Sequence, residues 1–310
     1  CLPPTEIFIG SPGTAGYNVS NVTLRASAST VSAQIASGDG TCAMCIMVNG
    51  GSTGAIDVSG VHVAAQHASH VLSRTNETFS KYHAAMAVVS WSVPNVSVSN
   101  TTFVAAGAGT TVRVVGDSSG FNEPLSVMSI GAFPPAVAIS VSNVSFLATD
   151  FAQLHSVAMG EQSAYVTALA LFAQGVPQLH VRGCDFALRD GATAVAGGTS
   201  DTDHMVVLSV FAVATTAMVV EHSAFAAIDA GHAVAWSAGE GCQDAMVLSI
   251  GGLGAELGVR DSSFLAVRTN VTVSVPGPTA NNAAILAIAV EGPSGQQEPF
   301  RSVAFAATDA

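Results

Sequence analysis

Apolar residues recur along the chain in blocks that repeat about every 40 positions. One template, a valine followed five positions later by a phenylalanine, occurs in ISVSNVSF (139–146), LHVRGCDF (179–186), MVVEHSAF (218–225) and LGVRDSSF (257–264). Within these stretches apolar positions alternate with polar ones, which is typical of a half-buried β-strand and not of an amphipathic helix. The repeat therefore predicts short strands at the same place in consecutive units.

The last position of the template can be followed through the whole chain. Its residues are Leu24, Val63, Phe103, Phe146, Phe186, Phe225, Phe264 and Phe305, with separations of 39, 40, 43, 40, 39, 39 and 41 residues. If like strands stack on one another, phenylalanines at this position form an inward aromatic ladder. The predicted ladder consists of Phe103, Phe146, Phe186, Phe225, Phe264 and Phe305.

Each unit holds three or four short, valine-rich strands separated by Gly, Asn, Asp and Ser. Helical repeats would be rich in Leu, Glu and Lys, and a propeller needs tight hairpin turns, for which the signals are thin. We therefore predict an all-β fold, a right-handed parallel β-helix (β-solenoid) with about 40-residue repeats. Residues 1–310 form a single solenoid segment of about seven and a half repeats. The pattern leaves open whether a repeat is one wide coil or two narrow ones.

Composition narrows the class of protein further. The chain is 49% hydrophobic and only 10% charged, which excludes intrinsic disorder. Nine basic and 21 acidic residues give a net charge of −12, so no nucleic-acid partner is expected. The long uncharged stretch from Met205 to Val220 contains Ser209 and many valines, which favours two buried strands over a membrane span. The chain begins at Cys1 and stops inside the repeat, so we expect a piece of a longer protein whose membrane anchor, if any, lies outside it.

One loop, GGTSDTDHM, departs from the repeat with a local concentration of acidic residues. Asp201, Asp203 and His204, together with Asp244 from the equivalent loop of the next repeat, are weak candidates for a small metal or acid–base site. The loop lacks the glycine and the distal glutamate of an EF-hand, so ordinary loop residues are the favoured interpretation. We expect no catalytic residue, no bound metal and no cofactor.

A column of aspartates follows the template at a fixed distance. It contains Asp150, Asp190, Asp229 and Asp309, and it is interrupted by Arg268. Stacked carboxylates could bind calcium or act as an acid pair on sugars. Because Asp is a common turn residue and these obey the repeat, a structural role in turns is favoured.

A second column precedes the end of the template by four positions. It reads Ser20, Ser59, Ser99, Ser142, Arg182, Glu221, Arg260 and Arg301. It predicts a hydroxyl ladder followed by charges of alternating sign, either as a binding groove or, as we favour, as an outer face stabilised by cross-strand pairs.

The five cysteines form no disulfide framework. Cys42 and Cys45 are half of a zinc motif without a second half, so a structural zinc ion is not expected. A local disulfide between them is possible in an oxidising compartment.

Seven of the eleven asparagines begin an N-x-S/T glycosylation sequon. They are Asn18, Asn21, Asn76, Asn95, Asn100, Asn143 and Asn270. Part of the excess follows from the repeat, because Asn21, Asn100 and Asn143 share one column. The remainder favours a secreted or surface glycoprotein, and therefore an extracellular or cell-surface location.

The VSVSNTTF and ISVSNVSF units and the clustered sequons resemble the dispersed gene family surface glycoproteins of trypanosomes and related kinetoplastids. That resemblance implies a long, membrane-anchored, β-helix-rich protein that acts in adhesion. The same units look like the parallel β-helix repeats of pectate lyases and bacterial adhesins. They match a scaffold and not a site, so the resemblance transfers no functional residue.

These features favour a non-catalytic cell-surface or secreted β-helix scaffold that acts in adhesion or ligand presentation. The expected partners are glycans, extracellular matrix or host-surface proteins, because solenoids present long side surfaces. The alternative is a pectin-lyase-like polysaccharide lyase or hydrolase, which needs clustered acids, cations and aromatic sugar platforms. A single lysine, three tyrosines and two tryptophans disfavour it. An oligomeric assembly element is a third interpretation.

Overall fold

The computed structural model contains strands, turns and bends, with no helix, in all the residues it describes. These are residues 5–11, 16–35, 41–50, 54–75, 83–91, 93–116, 124–133, 137–159, 163–199, 202–213, 215–238, 244–253, 256–275, 282–291 and 304–308. The described strands number thirty, and every pairing between them is parallel. The chain is therefore a solenoid in which each strand pairs with its counterparts in the neighbouring coils.

The strands, numbered in chain order, form four sheets. Sheet A contains β1 (Thr5–Ser11), β5 (Thr41–Gly50), β9 (His83–Trp91), β13 (Pro124–Ala132), β17 (Ser163–Gln174), β21 (Thr202–Val213), β25 (Asp244–Leu253) and β29 (Asn282–Glu291). Sheet B contains β2 (Tyr17–Ser20), β6 (Ala55–Ser59), β10 (Asn95–Ser99), β14 (Ala138–Ser142), β18 (Gln178–Arg182), β22 (Ala217–Glu221) and β26 (Glu256–Arg260). Sheet C contains β3 (Thr23–Ser27), β7 (His62–Gln66), β11 (Thr102–Ala106), β15 (Ser145–Thr149), β19 (Asp185–Leu188), β23 (Ala224–Ile228), β27 (Ser263–Val267) and β30 (Ala304–Thr308). Sheet D contains β4 (Thr30–Ile35), β8 (His70–Thr75), β12 (Thr111–Gly116), β16 (Gln153–Ala158), β20 (Thr193–Gly198), β24 (His232–Ser237) and β28 (Asn270–Ser274).

The predicted fold class, an all-β parallel β-helix with repeats of about 40 residues, is confirmed. Each repeat is one wide coil of four strands, which resolves the question that the sequence left open. The stretch from Met205 to Val220 forms most of β21 and the start of β22, so the predicted pair of strands is correct. The described segments contain no helical membrane span.

The phenylalanine ladder forms the centre of the core. Rings of adjacent coils are parallel and stacked, with centroid distances of 4.9 Å for Phe103–Phe146, 4.8 Å for Phe146–Phe186, 4.8 Å for Phe186–Phe225 and 5.1 Å for Phe225–Phe264. All five rings are buried. Phe305 continues the register of Phe264 on β30. The predicted aromatic ladder is therefore present, and its spacing equals that of strands in a sheet, about 4.8 Å.

The turn from sheet B to sheet C is made by one residue with positive φ in each coil. These residues are Asn21, Gly60, Asn100, Asn143, Gly183, His222 and Asp261. Their backbone N–H groups donate to the carbonyl of the residue before the turn in the next coil, as Asn143 does to Arg182 at 2.9 Å. Asn, Asp and Gly tolerate this left-handed conformation best, which explains the recurrence of Asn and Gly in this column.

The strands of sheet A bend near their middle, so that their two ends turn towards solvent. At the bend two consecutive residues face the core, such as Ala43 and Met44 on β5 or Val127 and Met128 on β13. Tyr165 and Phe172 are seven positions apart on β17, and in a straight strand their Cα atoms would be about 23 Å apart. Their ring centroids are nevertheless only 5.9 Å apart. The outer face of sheet A is therefore concave.

Candidate functional site

The structure brings together two of the four residues of the candidate metal or acid–base site. His204 on β21 and Asp244 on β25 are register partners in adjacent coils, and His204 Nδ1 lies 2.7 Å from Asp244 Oδ2. The Asp244 side chain is only 9% exposed and that of His204 is 22% exposed. Asp201 lies outside the described residues. For Asp203 the structure describes only the backbone, which belongs to β21.

A third member of this group, Tyr165, was not singled out from the sequence. Tyr165 is the register partner of His204 on the preceding coil, and the two rings are stacked with centroids 4.8 Å apart and an angle of 10°. Phe211 lies against the same tyrosine, with ring centroids 4.7 Å apart. The available signal was the repeat itself, because positions 165, 204 and 244 are 39 and 40 residues apart.

This arrangement defines what the imidazole of His204 can do. A carboxylate beside Nδ1 fixes the orientation of the imidazole, which keeps Nε2 as its second hydrogen-bonding atom. A metal ion needs at least one further ligand, and no group of three His, Cys, Asp or Glu side chains suited to a metal is found among the described residues. The pair is therefore able to make a further polar contact through Nε2.

The bend of sheet A creates a second apolar cluster outside the solenoid wall. We call it the outer cluster; it contains Cys42, Cys45, Ala84, Ala87, Val89, Phe133 and Phe172, with Met47, Tyr165 and Phe211 against it. Because Ala43 and Met44 both face the core, Cys42 and Cys45 lie on the same outer side. Their Cα atoms are 5.9 Å apart and the pair forms a disulfide, a separation that is usual for such bonds. The local disulfide that the sequence allowed is therefore present.

The aspartate column lies in the turns from sheet C to sheet D. Asp150, Asp190 and Asp229 all have positive φ, and each is followed by a residue that also has positive φ or is glycine. Asp190 Oδ2 accepts a hydrogen bond from Thr149 at 2.9 Å, and Asp229 pairs with Arg268. These contacts support the turn role that the sequence favoured. Asp309 lies outside the described residues.

The column of serine, arginine and glutamate is a register column on the outer face of sheet B. It runs through Ser20, Ser59, Ser99, Ser142, Arg182, Glu221 and Arg260. The Glu221 carboxylate is 3.5 Å from Arg182 Nε and 3.1 Å from His180 Nε2. The favoured interpretation, an outer face with cross-strand ion pairs, agrees with these contacts. Arg301 lies outside the described residues.

Next to this column, an open groove with a volume of about 600 Å³ follows the outer wall of sheet B over several coils. Its lining mixes apolar and polar residues, and the polar ones include Asn18, Asp57, Asn95, Ser140 and His180. Two of these residues, Asn18 and Asn95, are sequon asparagines.

Comparison with known protein families, curated proteins and solved structures found no match to this chain.

Proposed function

We propose that the chain is a non-catalytic scaffold of a secreted or cell-surface protein, which presents its solenoid walls to ligands in adhesion. The observation that carries this proposal is the placement of the sequons. All six sequon asparagines in the described segments are exposed to solvent, namely Asn18, Asn21, Asn95, Asn100, Asn143 and Asn270. Asn76 lies outside those segments. An exposed acceptor is what N-glycosylation requires, and glycosylation occurs in the secretory pathway.

The disulfide between Cys42 and Cys45 supports the same compartment. Disulfides persist in secreted and surface proteins and are rare in reducing compartments. Both cysteines are buried, at 1% and 0% exposure, so the bond belongs to the packing of the outer cluster. Of the three other cysteines, Cys184 is a buried free thiol, and Cys1 and Cys242 lie outside the described residues.

The architecture suits a rigid, extended binding surface. One hydrophobic core runs through successive coils, and every sheet presents an outer wall that grows by one strand per coil. Such walls fit extended partners, which on this proposal are glycans, extracellular matrix or host-surface proteins. The resemblance to kinetoplastid surface glycoproteins agrees with this role and remains part of the proposal.

Expression behind a secretion signal in a eukaryotic host tests the compartment. We expect secretion of a protein whose mass falls after enzymatic removal of N-glycans. Peptide mapping should locate the glycans at sequon asparagines, and Asn49, which begins no sequon, is the internal control. Retention in the cell, or a secreted chain with no glycan at any sequon, would contradict the proposal.

Turnover assays test the non-catalytic part. The purified chain is incubated with a panel of acidic and neutral polysaccharides, and released reducing or unsaturated ends are measured. We expect no release. Release that is lost in His204→Ala and Asp244→Asn, with folding retained, would favour a polysaccharide lyase or hydrolase instead.

A further inference from the structure

At the outer wall of sheet D, two aromatic rings from the coils on either side of β20 each lie flat on a glycine near one end of that strand. The indole of Trp236 covers Gly197, its register partner on β20, so closely that a Cβ at position 197 would overlap the indole atoms Cε2 and Nε1. The ring of Phe151 covers Gly191 in the same way. The two glycines are six residues apart at the two ends of β20, about 20 Å along an extended strand. The wall thus carries an aromatic platform at each edge.

Both rings depart from the repeat at their positions. The register column of Trp236 otherwise contains Gln34, Arg74, Val115, Val157, Gly197 and Ser274. Phe151 has a φ of 64° and is 65% exposed. A bulky residue in this backbone region is strained, and a ring left largely in water recovers little energy from burial. Packing of the solenoid therefore does not account for Phe151.

The wall between the two platforms mixes polar and apolar side chains, with Val157, Val195 and Val234 among its outward residues. Its polar outward positions on β16 and β20 include Gln153, His155 and Thr193. Arg113 on β12 borders the wall as the register partner of His155. Burial, assisted by Arg113 on the neighbouring strand, lowers the pKa of His155, so its imidazole is neutral at physiological pH. None of the outward positions described on β16, β20 and β24 is Asp, Glu, Lys or Arg.

We propose that this wall binds an extended, uncharged polysaccharide that crosses β20 and stacks a sugar ring on Phe151 and another on Trp236. The inference rests on the proposed role as a ligand-presenting scaffold and names the class of ligand. The faces of aromatic rings are electron-rich and attract the positively polarised C–H groups on one face of a pyranose. The hydroxyl and amide groups of Thr193 and Gln153, and the imidazole of His155, hydrogen-bond to sugar hydroxyls between the platforms.

The turns beside Phe151 favour a neutral polysaccharide over an acidic one. Asp150 and Asp190 lie in the turns beside Phe151, and their carboxylates would accept bonds from sugar hydroxyls but repel uronate or sulfate groups.

Affinity electrophoresis and calorimetry of the unglycosylated chain, made in bacteria, test the proposal. The soluble probes are xyloglucan, mixed-linkage β-glucan and galactomannan, with polygalacturonate and heparin as acidic comparators. Phe151→Ala and Trp236→Ala are compared with Leu265→Ala, a control that removes a 39% exposed side chain from the wall of sheet C. Trp236→Phe keeps a ring over Gly197 in case the alanine variant is unstable, and Trp91→Phe leaves Trp236 as the only tryptophan for fluorescence.

We expect at least one neutral polysaccharide to bind, to shift the fluorescence of Trp236, and to bind roughly five- to tenfold more weakly to each alanine variant. Leu265→Ala should bind normally, and high salt should have little effect. Three results would each overturn the proposal. They are the absence of binding to every neutral probe, equal binding by Phe151→Ala and the parent chain, and binding that is confined to the acidic probes and is abolished by salt. Because the protein in this assay carries no glycans, these results are independent of the secretion experiment.

Discussion

His204 and Asp244 occupy the same position of adjacent coils, and their side chains meet with 2.7 Å between Nδ1 and Oδ2. The contact ties β21 to β25 outside the core, within reach of the ring of Tyr165. Hydrogen bonds to a charged group that is largely withdrawn from water contribute about 1.5–3 kcal/mol. We therefore expect Asp244→Ala to lower the free energy of unfolding by that amount, measured by denaturant titration.

A double-mutant cycle that combines Asp244→Ala with His204→Ala separates the interaction between the two side chains from the effect of removing each one. The double variant should be less destabilised than the sum of the two single variants, with a coupling of about 1 kcal/mol or more. Additive losses would show that the two side chains do not interact in solution.

The aromatic ladder predicts a steep loss of stability at its centre. Phe186 is fully buried and stacks on Phe146 and Phe225 at 4.8 Å on each side. Phe186→Ala should cost about 3–5 kcal/mol because it leaves a cavity and removes two ring contacts. Phe186→Leu should cost clearly less, since Leu24 occupies this column in the first coil.

Chemical denaturation followed by circular dichroism measures both variants. Phe151→Ala is the matched control, because it removes the same side chain from a position that is 65% exposed. If Phe186→Ala costs no more than this control, the ladder does not stabilise the core as described.

The ladder could be predicted from the sequence because the repeat brings like residues into register. Phe146, Phe186 and Phe225 are 40 and 39 residues apart, so any fold that stacks the units must superpose them. The column of Asn21, Asn100 and Asn143 was visible in the same way, although its role in a turn and its left-handed φ appeared only in the structure. The sequence could not show whether each repeat forms one coil or two, because both arrangements have the same period.

The outer cluster could not be predicted, for a physical reason. In a straight strand Cys42 and Cys45 face opposite sides, and alternation assigns one of them to the core. The bend turns both Ala43 and Met44 inward. After it, the alternation of inward and outward side chains is shifted by one residue relative to the part of the strand before the bend. For the same reason Tyr165 and Phe172 could not be placed together from their spacing.

The turn from sheet B to sheet C predicts a specific order of substitutions at Asn143. Its φ is 52°, and the equivalent residue of the next coil is Gly183 with a φ of 62°. Asn143→Val should cost about 1–2 kcal/mol, because a β-branched residue is strained in the left-handed region, whereas Asn143→Gly should be close to neutral. Thermal unfolding of unglycosylated protein makes the comparison independent of the sequon. Equal stability of the two variants would contradict the proposed role of φ.

The disulfide of the outer cluster predicts that a pair of alanines is tolerated. Ala84 and Ala87 are the register partners of Cys42 and Cys45 on the next coil, so alanine already fills these positions. The double variant Cys42→Ala, Cys45→Ala should fold and lose about 2 kcal/mol, the entropy that a short loop regains in the unfolded chain.

The parent chain after reduction is the comparison for that variant. If the bond acts through the unfolded state, reduced protein and double alanine variant should unfold at similar denaturant concentrations. A reduced parent chain that is as stable as the oxidised one would contradict this account.

The buried imidazole of His83 predicts a pH-dependent term in stability. Burial lowers the pKa of His83 from 6.5 to about 3, so the folded chain keeps this side chain neutral where the unfolded chain takes up a proton. As the pH falls from 6.5 towards 3, the unfolded state binds more protons and stability decreases, by at most about 1.4 kcal/mol per pH unit. His83→Leu removes this term, and Leu125, its register partner, shows that the site accepts leucine. Melting temperatures of the two proteins between about pH 7 and about pH 4 should therefore diverge, with the parent chain falling more steeply. Because both proteins share every carboxylate, the difference between the curves reports the histidine alone, and parallel curves would mean that His83 becomes protonated without unfolding.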